Sequence, residues 1–147
     1  MITEELEILL VEDNAEDAEL ALRALKKHNI STQVLHLENG AEALDYLFAE
    51  GEYSHRDMRN LPRMILLDIN MPKINGIDTL KRIKEDPRTK MVPVVMFTSS
   101  KEDIDLKQCY EMGSNSYIVK PVDFDDFDMT MKDLGSYWMH LNQAVPR

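Results

Sequence analysis

The chain has 147 residues, 44% of them hydrophobic, and a formal net charge of −10. That length and apolar content suit one compact domain. The charge excludes the Lys- and Arg-dominated surfaces that hold nucleic acid or anionic membranes. Cys109 is the single cysteine, so no internal disulfide can form, which fits a reducing compartment. No apolar stretch approaches the ~20 residues that span a bilayer. The opening Met1-Ile2-Thr3-Glu4-Glu5-Leu6-Glu7 is acidic where a secretory signal is basic and then apolar, so a soluble cytoplasmic protein is expected.

Ile8-Leu9-Leu10-Val11 reads as a short buried strand that stops at Glu12-Asp13. Asn14 can cap a helix over 15–28, where Leu20, Leu22 and Leu25 mix with charged residues at helical spacing. A second strand is expected over 33–38, broken by Asn39-Gly40 before a helix through Phe48. The stretch from Gly51 to Pro62 is a long connection, suited either to recognition or to a tolerated surface excursion. Met64-Ile65-Leu66-Leu67 is the third strand and ends at Asp68, because Met71-Pro72-Lys73 is a turn that a strand cannot pass through.

A third helix spans 75–86 and is closed by Asp86-Pro87. The fourth strand runs through Val92-Pro93-Val94-Val95-Met96-Phe97 to Thr98. Ser99 with Glu102 forms a capping box for a fourth helix that Gly113 ends. Tyr117-Ile118-Val119 is the fifth strand, stopping at Lys120-Pro121. Asp123 then caps a long last helix with apolar residues at Phe124, Phe127, Met131, Leu134, Trp138 and Leu141. The ten methionines and Cys109 read as core filling, and His28, His36, His55 and His140, which lack ligand spacing, as surface residues.

Five strand-helix pairs in alternation imply an α/β fold with a parallel sheet between helices, because parallel strands need crossover connections. In such sheets chemistry collects at the carboxyl ends of the strands. Those ends supply Glu12, Asp13, Asp68, Thr98 and Lys120. Each has a structural role available. The acids could favour a helix amino terminus, Asp68 could serve a turn, Thr98 could bond nearby backbone, and Lys120 could be solvated. Independent structural roles would not place all of them on one sheet edge.

In that order and at those positions, the residues resemble a response regulator receiver domain over nearly the whole chain. Glu12-Asp13 looks like its acidic pair, Asp68 with Met71-Pro72 and Gly76 like its phosphoacceptor loop, Thr98 like its switch hydroxyl, and Tyr117 with Lys120-Pro121 like its closing motif. The resemblance implies a doubly wound, flavodoxin-like sheet of order 2-1-3-4-5. It also implies metal ligation by Asp13, Asp68 and the Asn70 backbone carbonyl, with Glu12 acting through water. Lys120 is expected to contact Asp68 and later the phosphoryl group, across a cis bond to Pro121. The acids would repel an anionic phosphoryl donor unless a divalent cation, Mg2+ or Mn2+, balanced them.

The long 51–62 connection and the extended last helix resemble the small single-domain receivers that partner bacterial, especially cyanobacterial, phytochrome histidine kinases. The expectation is one receiver domain over 1–147 with no output domain. It would be a phosphoacceptor signalling protein, not an enzyme, that acts through protein contact or as a shuttle in a phosphorelay. Trp138 and Leu141 are candidates for a homodimer contact on the face of the fourth helix, fifth strand and fifth helix. An aspartyl-phosphate phosphatase on a similar sheet would place a second acid where Asn70 stands. A flavodoxin-like cofactor binder would need hydroxyls or glycine where Glu12-Asp13-Asn14 stands.

Overall fold

A computed structural model describes residues 6–31 and 33–146; the acidic opening segment 1–5 lies outside the described residues. In chain order the elements are β1 (Ile8–Val11), α1 (Ala15–Lys27), β2 (Val34–Leu37), α2 (Gly40–Leu47), β3 (Met64–Leu67), α3 (Gly76–Glu85), β4 (Val94–Thr98), α4 (Asp103–Glu111), β5 (Ser116–Val119) and α5 (Phe124–Ser136). All strand pairings are parallel and the order is β2-β1-β3-β4-β5. The doubly wound expectation is therefore met, strand for strand.

The strands read as unbroken apolar runs because both faces of the sheet are covered. One face sets Leu9, Ile65, Leu67 and Met96 against α2, α3 and α4 through Leu44, Leu80, Ile83 and Cys109. The other sets Ile8, Leu10, Leu66 and Phe97 against α1 and α5 through Ala21, Leu25, Phe127 and Met131. β1 and β3 run in step, Val11 beside Leu67, so Glu12 and Asp68 leave the sheet side by side.

Among the described residues, four of the five α-helices start on an Asx cap. The side chains of Asn14, Asn39, Asn75 and Asp123 accept from the backbone N–H three residues on. α4 is the exception, and here the capping-box expectation fails. Its cap position is Glu102, which makes no side-chain cap bond. Ser99 is exposed in the preceding loop, and its neighbour Ser100 takes over. Ser100 Oγ accepts from Glu102 N at 3.3 Å and donates to Asp105 at 2.6 Å.

Three further expectations are corrected. The described peptide bonds include no cis bond, so Lys120–Pro121 is trans, the form that X–Pro bonds favour by roughly 0.5–1 kcal/mol. His28 and His36 are not surface residues. Each is half-buried, His28 paired with Asp128 at 2.9 Å and His36 with the Glu12 carbonyl at 2.7 Å. The last α-helix gives way at Ser136 to a π turn over Tyr137–Leu141. There Trp138 packs on the core of its own chain while Leu141 stays 71% exposed.

The 51–62 connection is anchored to the domain. It opens with a 3-10 turn at Gly51–Tyr53, and Tyr53 meets Tyr46 edge to face at 5.2 Å. The Arg56 guanidinium lies 3.7 Å over the Tyr46 ring and donates to the Tyr46 and Asn60 carbonyls.

Candidate functional site

The site lies at the carboxyl edge of the sheet, where the strand order turns outward from β1 and β3. Asp68 follows the last residue of β3 and is buried. Its Oδ1 accepts from the Ile69 N–H at 2.7 Å and its Oδ2 from Lys120 Nζ at 2.9 Å. Glu12 follows β1, with Oε1 2.6 Å from Lys120 Nζ and Oε2 accepting from Asn14 N at 3.2 Å. Asp13 is exposed at the mouth. One carboxylate oxygen from each of Glu12, Asp13 and Asp68 can be chosen so that all lie within 4.8 Å of one another.

Lys120 directly follows β5 and is held over this cluster by its own backbone, whose N–H donates to the Thr98 carbonyl at 2.7 Å. Its ammonium has three hydrogens and meets three carboxylates. The third is Asp17, in the first turn of α1, at 2.9 Å. Sequence reasoning missed Asp17. Four residues beyond Asp13, it reads as an ordinary acid at a helix amino terminus, and the only signal for more was its place in the first turn after the acidic pair. Burial pulls the Lys120 ammonium down, but hydrogen bonds to the three acids outweigh it and hold Lys120 above its ordinary value. Burial pushes the Glu12 carboxyl up to about 7, the Lys120 bond resists, and the Asp68 charge adds to the rise.

Thr98 and Tyr117 make no hydrogen bond to Asp68 among the described residues. Both instead hold Ser100. The Thr98 hydroxyl, fully buried, accepts from Ser100 N at 3.3 Å, and the half-buried Tyr117 hydroxyl donates to the Ser100 carbonyl at 3.0 Å. Asn70 is exposed in the β3–α3 loop, which Gly76 closes by donating its N–H to the Ile69 carbonyl at 2.7 Å. Trp138 and Leu141 lie beyond α5, at the opposite end of the sheet.

The donor set suits a hard divalent cation: carboxylate oxygens alone, one acid open to solvent, and spare lone pairs on Glu12 and Asp68. Mg2+ or Mn2+ fits such oxygens better than a thiolate-seeking metal.

The Response regulator receiver domain family matches residues 8–132. The chain is 40% identical to the probable methanogenesis regulatory protein FilR2 of Methanothrix harundinacea, over 93% of this chain and 86% of that one. It is 35% identical to the response regulator Rcp1 of Synechocystis, over 90% and 88%. The Mn2+-bound form of Rcp1 superposes with a TM-score of 0.89, covering 97% of this chain and 100% of that one at 32% identity. The phosphorylated cyanobacterial phytochrome response regulator RcpA gives 0.88 over 97% and 100% at 34% identity. On the ordered acids, the buried lysine and this match across most of its length, the chain belongs to the response regulator receiver domain family.

Proposed function

We propose that Asp68 accepts a phosphoryl group from a sensor histidine kinase, of phytochrome type, and that the chain signals through phosphorylation-dependent protein contact. The observation that carries this reading is the Asp68 carboxylate itself. It is fixed between the Ile69 N–H and the Lys120 ammonium, beside the Glu12–Asp13 pair. RcpA, a relative, is described in its phosphorylated form, and Rcp1 in its Mn2+-bound form.

In the transfer, an Asp68 oxygen forms the new bond to phosphorus as the donor's bond breaks and its electron pair leaves with the donor. Bound by Asp13, Asp68 and the Asn70 carbonyl, with Glu12 through water, Mg2+ or Mn2+ would supply charge neutralisation for the acids and the phosphoryl oxygens. Lys120 then moves one N–H from Asp68 to a phosphoryl oxygen, as a point charge suited to that role. The Thr98 hydroxyl turns to donate to the same group, which disturbs its bond from Ser100. Tyr117 holds the other side of Ser100, so both residues transmit through the β4–α4 loop.

Over 1–147 the chain reads as one receiver unit acting in the cytoplasm, with transfer chemistry limited to its own Asp68 and no separate enzymatic activity. Asn70, where a phosphatase would place its second acid, supports that choice. The same chemistry serves a shuttle in a phosphorelay. A homodimer across the α4–β5–α5 face is a further part of the reading, supported by the exposed Ile104 and Tyr110 on α4 and Leu141 after α5.

Incubation with Mg2+ and a small-molecule phosphodonor, read by intact mass, is expected to add one phosphate. The adduct is expected to vanish in Asp68→Asn and on chelation. Undiminished labelling of Asp68→Asn would refute the assignment.

A further inference from the structure

Lys120 divides its three hydrogens among Glu12, Asp17 and Asp68, at 2.6, 2.9 and 2.9 Å. The three partners differ in kind. Glu12 and Asp68 are buried, with side chains 3% and 8% exposed, and both belong to the acidic cluster beside Asp13. Asp17 stands outside that cluster, its side chain 27% exposed, on α1 rather than on a strand end. A cation arriving at Glu12, Asp13 and Asp68 competes with Lys120 for two of its three oxygen donors. Among the described residues, Asp17 is the one carboxylate that draws the ammonium without itself offering a place in the cluster.

We propose that Asp17 is a positioning residue that draws Lys120 toward α1 and so leaves the Glu12 and Asp68 carboxylates free enough to take a divalent cation. This rests on the metal-binding reading above, but not on phosphoryl transfer. When Asp17 loses its charge, the Lys120 ammonium is shared by Glu12 and Asp68 alone, and the cation meets more fully neutralised Glu12 and Asp68 carboxylates. Asp17 thereby couples the first turn of α1 to the site through one lysine.

The test is Mn2+ titration of the purified protein, with free Mn2+ followed by electron paramagnetic resonance and no phosphodonor present. Asp17→Asn is expected to raise the dissociation constant roughly fivefold, about the most that one partly exposed ion pair transmits. In a Lys120→Met background the same change is expected to shift it by less than about twofold, because the intermediary is gone. Asp17→Glu, which keeps the charge, is expected to bind like the wild type, and it serves as the control should Lys120→Met not fold. Equal affinity in wild type and Asp17→Asn would overturn the proposal, as would an equal loss in both backgrounds or a Glu variant as weak as Asn. A wild type that binds no Mn2+ would overturn it together with the metal reading. Binding without any Asp17 effect would overturn the role of Asp17 alone.

Discussion

A methyl group on Gly76 would sit 1.9 Å from the Asp68 carbonyl oxygen and 2.7 Å from Ile69 Cα. Both neighbours are backbone, so neither can turn aside, and the β3–α3 loop itself must move. Gly76→Ala is therefore expected to destabilise the fold by about 3 kcal/mol, at the upper end of what overpacking costs. Because the displaced residue is Asp68, phosphoryl labelling should fall with it. A urea midpoint equal to that of the wild type would show that the loop yields freely. In the sequence Gly76 is legible only as part of a family pattern. The reason for it, the end of β3 passing under the start of α3, exists only once both elements are packed. Asp17 was hidden for a related reason. Its partner Lys120 is 103 residues away, and no local spacing can pair them. The strand-end acids were readable because each terminates an apolar run, which is a local fact.

Among the elements, α3 is tied to the far end of the sheet by one side chain. Lys84 Nζ donates to the Lys90 and Val92 carbonyls and to Asn115 Oδ1, at 3.0, 2.8 and 3.0 Å, joining the helix to the approaches of β4 and β5. Burial pulls its ammonium down from 10.5 to about 8. The unfolded chain therefore binds more protons than the folded one between those values. Stability rises with pH across that window, and the burial cost is felt in full below it. Lys84→Met removes that cost but leaves two carbonyls without their donor, so a net loss of about 1–2 kcal/mol is expected near neutral pH. The gap to wild type should widen between pH 8 and pH 10.5, since only the wild type gains there. Urea unfolding at both ends of the window checks this, and a gap that narrows would contradict it. Helix starts were legible at Asn14 and Asp123, which read as caps from the sequence, whereas Asn39 read as a breaker and Asn75 as part of its helix. The start of α4 was not legible, because Ser99 and Ser100 offer the same hydroxyl one residue apart, and only the Asp105 contact selects between them. The length of the last helix was legible from its apolar repeat, but its change to a π turn was not.

At the scale of the molecule, alternation of strands and helices established a parallel sheet, whereas the order of the strands came from resemblance; nothing local says which strand lies next to which. The same limit bears on Trp138. Its place in the apolar stripe offered it both to the core and to a partner. In the folded chain it packs on the α1–α5 side of the core and meets Tyr137 edge to face at 5.0 Å. Leu141, one turn on, faces outward. The two residues therefore separate stability from assembly. Trp138→Ala should cost about 2 kcal/mol, less than a fully buried aromatic, whatever the oligomeric state. Leu141→Asp should leave the melting temperature of the subunit nearly unchanged, since a surface position rarely moves it by more than ~0.5 kcal/mol. If copies of the chain meet through the α4–β5–α5 face, light scattering of the wild type gives the mass of a dimer, and Leu141→Asp or Ile104→Asp lowers it toward a monomer. A wild type that scatters as a monomer, with or without the phosphodonor, would remove the homodimer from the proposal and leave the exposed Ile104, Tyr110 and Leu141 as surface for a different protein.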